Sequence, residues 1–108
     1  MKILGTFEIY EIFEIKIGIA LAGKFISGKP ISNEKDILKK NIFISFLYNE
    51  KEITTKIMRL DGRFGRPSQD ILIEENDNIA LIIEIENNTQ ILDKVELVST
   101  IVGKIIEK

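Results

Sequence analysis

A chain of 108 residues with neither cysteine nor histidine has the length of one domain. It excludes disulfides, thiolate metal sites and every catalytic scheme that turns on a thiol or an imidazole. Its 15 basic and 17 acidic side chains leave a net charge of -2, which gives no global attraction to nucleic-acid phosphate.

An enzyme on this chain is confined to carboxylates, Lys, Arg, Tyr or a hard metal. Lys2 is followed by apolar residues broken at Gly5 and Glu8, which is not a signal-peptide pattern. No apolar run approaches membrane-spanning length. The expectation is a cytoplasmic chain with no membrane partner.

The first element is a strand. From Phe7 to Ile17, Phe7, Ile9, Phe13, Ile15 and Ile17 share one parity, with Glu8, Glu14 and Lys16 on the other. Glu11 falls on the apolar parity and Tyr10 and Ile12 on the polar one, so a bulge or a change of partner is expected there. Ile19 to Ile26 alternates more weakly and ends at the turn signal "SGKP". "SNEKDILKK" (Ser32 to Lys40) carries a cap residue, early acids and late lysines, enough for one helical turn.

"IFISFLY" (Ile42 to Tyr48) and "ITTKIMRL" (Ile53 to Leu60) flank "NEKE" as a hairpin. Ile71 to Glu74 is a short strand, and "ENDN" turns into Ile79 to Glu86. Ile91 to Val98 and Ile101 to Ile106 complete the series. Isoleucine, β-branched and suited to a pleated half-buried surface, dominates throughout. Short strands at regular turn spacing predict an all-β sandwich or barrel.

Gly23 to Lys29 matches a phosphate-binding loop except at its last position, where Pro30 replaces the hydroxyl residue. Pro30 has neither a hydroxyl for Mg²⁺ nor an N–H for phosphate, and it pushes Lys29 out of helical geometry. Phe25 and Ile26 put bulk where backbone must approach the anion. The match is a coincidence of spacing within strand and turn, and no cofactor is expected.

Over a longer window, Ile9-Tyr10-Glu11-Ile12-Phe13-Glu14-Ile15-Lys16, Gly18, Ile19-Ala20-Leu21-Ala22-Gly23 and Lys24 to Ile31 resemble the entry to the second domain of translational GTPases of the elongation factor Tu type. "ENDNIALIIEI" (Glu75 to Ile85) is similar to a later strand of that domain. The resemblance implies a small antiparallel β-barrel over residues 1–108. It puts Gly23 where a strand bends or is closely approached, and Gly28 in a hairpin turn. The family's Gly-x-Gly turn is reduced to Ile17-Gly18, Tyr10 and Glu11 replace Glu-Asp, and Met58 occupies an acid-bearing position. What resembles the family is therefore the barrel rather than its hold on aminoacyl-tRNA.

"LDGRFGRPSQD" (Leu60 to Asp70) is the most unusual loop. Arg63, Phe64 and Arg66 read as a protein-binding anchor set, as a clamp for single-stranded nucleic acid, or as an ordinary solvated loop. Glu8, Glu14, Glu74, Glu84 and Glu86 invite a carboxylate-pair reading, yet Glu84-x-Glu86 and Glu14-x-Lys16 alternate as a solvated sheet face does. "ENDN" offers oxygen ligands but has too few for a calcium loop. Tyr10 and Tyr48 are each assignable to core or rim.

These features lead to a non-catalytic protein-binding module, in character a stoichiometric inhibitor or immunity-type protein whose acidic faces suit a basic toxin or nuclease. Its expected contact residues are Arg59, Arg63, Phe64, Arg66, Glu84 and Glu86. The alternative is an RNA- or ribosome-associated module using Arg59, Arg63, Arg66, Lys51, Lys56 and Phe64. A strand edge left unpaired would also permit a homodimer.

Overall fold

A computed structural model describes residues 2–48, 50–62, 72–84 and 100–108. The strands are β1 (Lys2–Ile15), β2 (Gly18–Gly28), β3 (Ile31–Ser32), β4 (Ile42–Tyr48), β5 (Lys51–Asp61), β6 (Leu72–Ile73), β7 (Asn78–Ile83) and β8 (Ile101–Glu107). Six of them close into a barrel in the order β1-β2-β7-β5-β4-β8, with every neighbouring pair antiparallel. Sandwich and barrel were both compatible with the strand pattern; the ring is closed. The first and last strands are neighbours: Lys2 lies opposite Glu107 and Ile9 opposite Ile101. β8 is bonded to β1 on one side and to β4 on the other.

Alternation fills the interior. Phe7, Ile9, Leu21, Phe25, Ile42, Ile44, Ile57, Leu81, Ile83 and Ile105 are all buried in one cluster. Register slips interrupt the pairings of β1 and β5 and change the phase. The β1–β2 register slips between Ile9 and Glu11, leaving Tyr10 unmatched. From Gly5 to Ile9 the inward residues are odd-numbered and after the slip even-numbered, so Ile12 is buried and Phe13 is exposed, while Ile3, ahead of another slip between Ile3 and Gly5, faces outward. The sequence parity placed Phe13 with the core, and the extra residue is why that fails. A further slip between Ile57 and Arg59 sets Met58 aside, so that Ile57 and Leu60 both face inward.

Gly23 is the close-approach position: a Cβ there would run into the carbonyl oxygen of Glu8 on the neighbouring strand. Gly28 is not in a hairpin turn. It ends β2 with φ of +141°, a conformation for which only glycine is unstrained.

One end of the barrel, where β2 and β5 finish and β7 begins, is covered by the β3–β6 pair and by the turn between β3 and β4. Ile31, Ile37 and Ile73 carry these pieces into the core cluster. The turn, Asn33–Ile37, is π-helical. Ser32 caps it by accepting from Lys35 N–H at 3.4 Å, while its own N–H donates to Asp36 Oδ2 at 2.7 Å. Asp36 is also paired with Lys40 at 3.3 Å. The single helical turn expected over Ser32 to Lys40 is present, wider than an α-turn. The Ile42–Tyr48 and Lys51–Asp61 hairpin is present as expected, with Glu50 at positive φ in its turn. The strand expected at Ile91 to Val98 lies outside the described residues.

Candidate functional site

The two glycines of the apparent phosphate loop belong to β2, and their neighbours' donors already have partners. Lys29 N–H donates to Leu4 C=O at 3.2 Å, and Gly28 N–H donates to Glu75 Oε1 at 3.3 Å. "ENDN" forms a turn with Asn76 at φ of 73°. Asp77 serves that turn, its Oδ2 accepting from Glu74 N–H at 3.0 Å. Among the described residues no three acids converge as a metal site, and no helix there is long and apolar enough to cross a membrane.

Of the expected contact residues, Arg59 and Glu84 fall among the described residues. Arg59 is held by Asp61, with Nε to Oδ1 at 2.9 Å and a terminal nitrogen donating to Oδ2 at 3.1 Å. The shorter contact is an ion pair too poorly aligned to count as a hydrogen bond. Asp61 is buried, so Arg59 neutralises an interior carboxylate, which takes it out of a free basic set. Glu84 is exposed just beyond β7 and already engaged by a neighbour. Arg63, Phe64, Arg66 and Glu86 lie outside the described residues. Lys51 and Lys56 are exposed on β5. Tyr48 packs against the core, whereas Tyr10 is exposed.

A different site lies on the outer face of β8, β4 and β5. Strand register lays out rows of outward side chains there. One row runs Ser27, Thr6, Lys104, Ser45, Thr54, from β2 through β1, β8 and β4 to β5. Its members are short hydroxyl side chains except for Lys104. The row on one side runs Ile3, Ile106, Phe43 and Lys56. On the other side Val102 stands opposite Glu8, and Leu47 stands opposite Glu52.

Short side chains between bulky rows leave a trough. The resulting groove has a volume of about 490 Å³, walled by Ile3, Leu47 and Val102 with Lys104, Ser45 and Thr54 on its floor. Ile3, Leu47 and Val102 are 54%, 61% and 56% exposed, far more than any core isoleucine.

The polar groups are partly tied. Thr54 Oγ1 donates to Ser45 Oγ at 3.1 Å, and Ser45 Oγ donates to Glu52 Oε1 at 3.3 Å. Lys108 places its ammonium 4.8 Å from the centre of the Phe43 ring. Among the described residues no carboxylate pairs with Lys104.

Sequence reasoning passed over this groove, although a signal was present. Leu47 and Val102 are apolar on the outward parity of β4 and β8, where alternation calls for polar residues. The lateral gathering of Ile3, Leu47 and Val102 depends on β8 lying between β1 and β4, which no local pattern reveals. No family model, curated protein or solved structure matches the chain.

Proposed function

We propose that this barrel is a non-catalytic protein-binding module that meets its partner at the groove across β8, β4 and β5. The observation that carries the reading is the convergence of Ile3, Leu47 and Val102, exposed on the adjacent strands β1, β4 and β8 around one trough. Apolar side chains on the outer face of a closed barrel add nothing to its core. Scattered singly they need no explanation, but gathered round a concave, partly polar floor they have the character of an interface. A binder of this kind acts by occupying its partner one to one, the inhibitor or immunity-type role expected from the sequence.

The test is a pull-down with the tagged barrel from cells that make it, run with wild type and Val102→Asp and divided into nuclease-treated and untreated halves. Supporting the reading requires one protein at near-equal stoichiometry, unaffected by nuclease and lost with Val102→Asp. Retention of RNA or ribosomal proteins that disappears on nuclease treatment would instead establish the nucleic-acid module. Partners held equally by Val102→Asp would place the interface elsewhere.

A further inference from the structure

The groove is apolar at its walls and cationic at its floor, and this combination has a specific counterpart. We infer that its occupant is an extended segment of a partner protein carrying one carboxylate side chain flanked by apolar side chains, with the carboxylate on Lys104. The inference rests on the protein-binding reading and adds the chemistry of the ligand.

The charge argument comes first. Lys104 and Lys108 line the groove against one carboxylate, Glu52. Glu52 is turned to the Ser45 hydroxyl, and Lys108 lies over Phe43. Lys104 therefore stands in mid-floor with its ammonium unpaired among the described residues. A partner that covered the trough with apolar groups alone would strip water from that ammonium without replacing it, which opposes binding. A carboxylate supplies the missing acceptor, and a charge-assisted bond of this type is about twice as strong as a neutral one.

Shape then narrows the class. From β8 to β5 the floor crosses two strand spacings, about 10 Å, which is the reach of roughly three extended residues. The floor hydroxyls of Ser45 and Thr54, their protons committed to Glu52 and Ser45, keep lone pairs that accept from the N–H groups of a main chain lying across the strands. The closed ring leaves β8 and β4 no unpaired side in the paired stretch, so recognition here proceeds through side chains on the barrel's face, unlike strand addition.

The experiment is a selection of short random displayed peptides on the folded barrel. Enriched peptides are then measured by fluorescence anisotropy against wild type, Lys104→Glu, Lys104→Gln and Val102→Asp, with an oligouridylate as a separate probe. The expected result is a shared Asp or Glu between apolar residues. Such peptides should bind about tenfold more weakly to Lys104→Glu. Replacing the acid by its amide should cause a similar loss and abolish sensitivity to Lys104→Glu.

Peptides that lack an acid, or that ignore Lys104→Glu while losing Val102→Asp, overturn the carboxylate assignment and leave the groove as an interface. Peptides indifferent to Val102→Asp overturn both. Failure to enrich any sequence overturns the assignment, as does a Lys104-dependent affinity for oligouridylate above that for every peptide. Lys104 is exposed, so its variants fold; melting curves verify this.

Discussion

The side chain of Asn33 grips both backbone groups of Leu60, 27 residues further along the chain. Its Nδ2 donates to the Leu60 carbonyl at 3.2 Å, and its Oδ1 accepts from the Leu60 N–H at 3.4 Å. β5 outruns β4 at this point, because their pairing ends at Phe43 and Lys56. The amide thus acts as a one-residue substitute for the missing strand, and both partners are buried. Asn33→Leu removes two hydrogen bonds and leaves two interior backbone groups unsatisfied. We expect a loss of about 2–4 kcal/mol, read from urea unfolding, with little change in peptide binding at the distant groove.

Arg59 makes a second test, because it was expected as a contact residue and is paired with the buried Asp61. A free contact arginine would tolerate replacement. As the partner of a buried carboxylate, Arg59→Leu should cost roughly 1–3 kcal/mol, discounted because the arginine is one-third exposed. Asp61→Asn on top of it should recover part of the loss, since the stranded charge is then gone. Additive losses in a double-mutant cycle by chemical denaturation would contradict this.

Gly23→Ala places a methyl group against the Glu8 carbonyl oxygen, backbone on both sides. Neither strand can yield without disturbing the bulge at Tyr10 beside it. The expected penalty is roughly 1–3 kcal/mol, seen as a lower melting temperature.

Tyr10 offers a pH test. Partial desolvation, then a hydrogen bond from its phenol to Glu8, then the negative charge of Glu8 all raise its pKa above the ordinary 10.0. A Tyr48→Phe background leaves one phenol to follow, since the chain has two tyrosines. Phenolate absorbance should give a midpoint above 10.0, and Glu8→Gln should lower it toward that value. The fold prefers the neutral phenol, so this contribution to stability is complete below the unfolded pKa. It is lost as pH rises through the folded one.

Leu47→Thr and Val102→Thr separate folding from recognition. Both side chains are more than half exposed, so each change should alter stability by less than about 0.5 kcal/mol. The same changes should weaken binding of groove-selected peptides by about tenfold when combined. A marked drop in melting temperature would assign these side chains to the fold instead.

Much of the ring was legible before any coordinates. Isoleucine alternation located the strands, the misplaced Tyr10, Glu11 and Ile12 located the bulge, and "NEKE" and "ENDN" located turns. These are local signals of side-chain period and turn chemistry. Phe13 was misassigned because parity was carried through a bulge that reverses it. The contact residues were chosen from an Arg-Phe-Arg loop and alternating acids, both local patterns. The groove depends on pairings such as Thr6 with Lys104 and Lys104 with Ser45, between segments far apart in the chain. Register across β8 exists only in the assembled barrel, so Lys104 looked like any polar residue on a strand.

The position of β8 also bears on how the molecule is made. It is the last strand in chain order, yet it belongs between β1 and β4, which are synthesised well before it. Until it arrives, those two strands present facing open edges, the kind of edge that recruits other chains. Closure waits for a long-range pairing, so folding should be slow for the protein's size. On a ribosome the nascent barrel would stay split along this seam until β8 clears the exit tunnel. The same insertion builds the groove, so the groove and the completed fold arrive together.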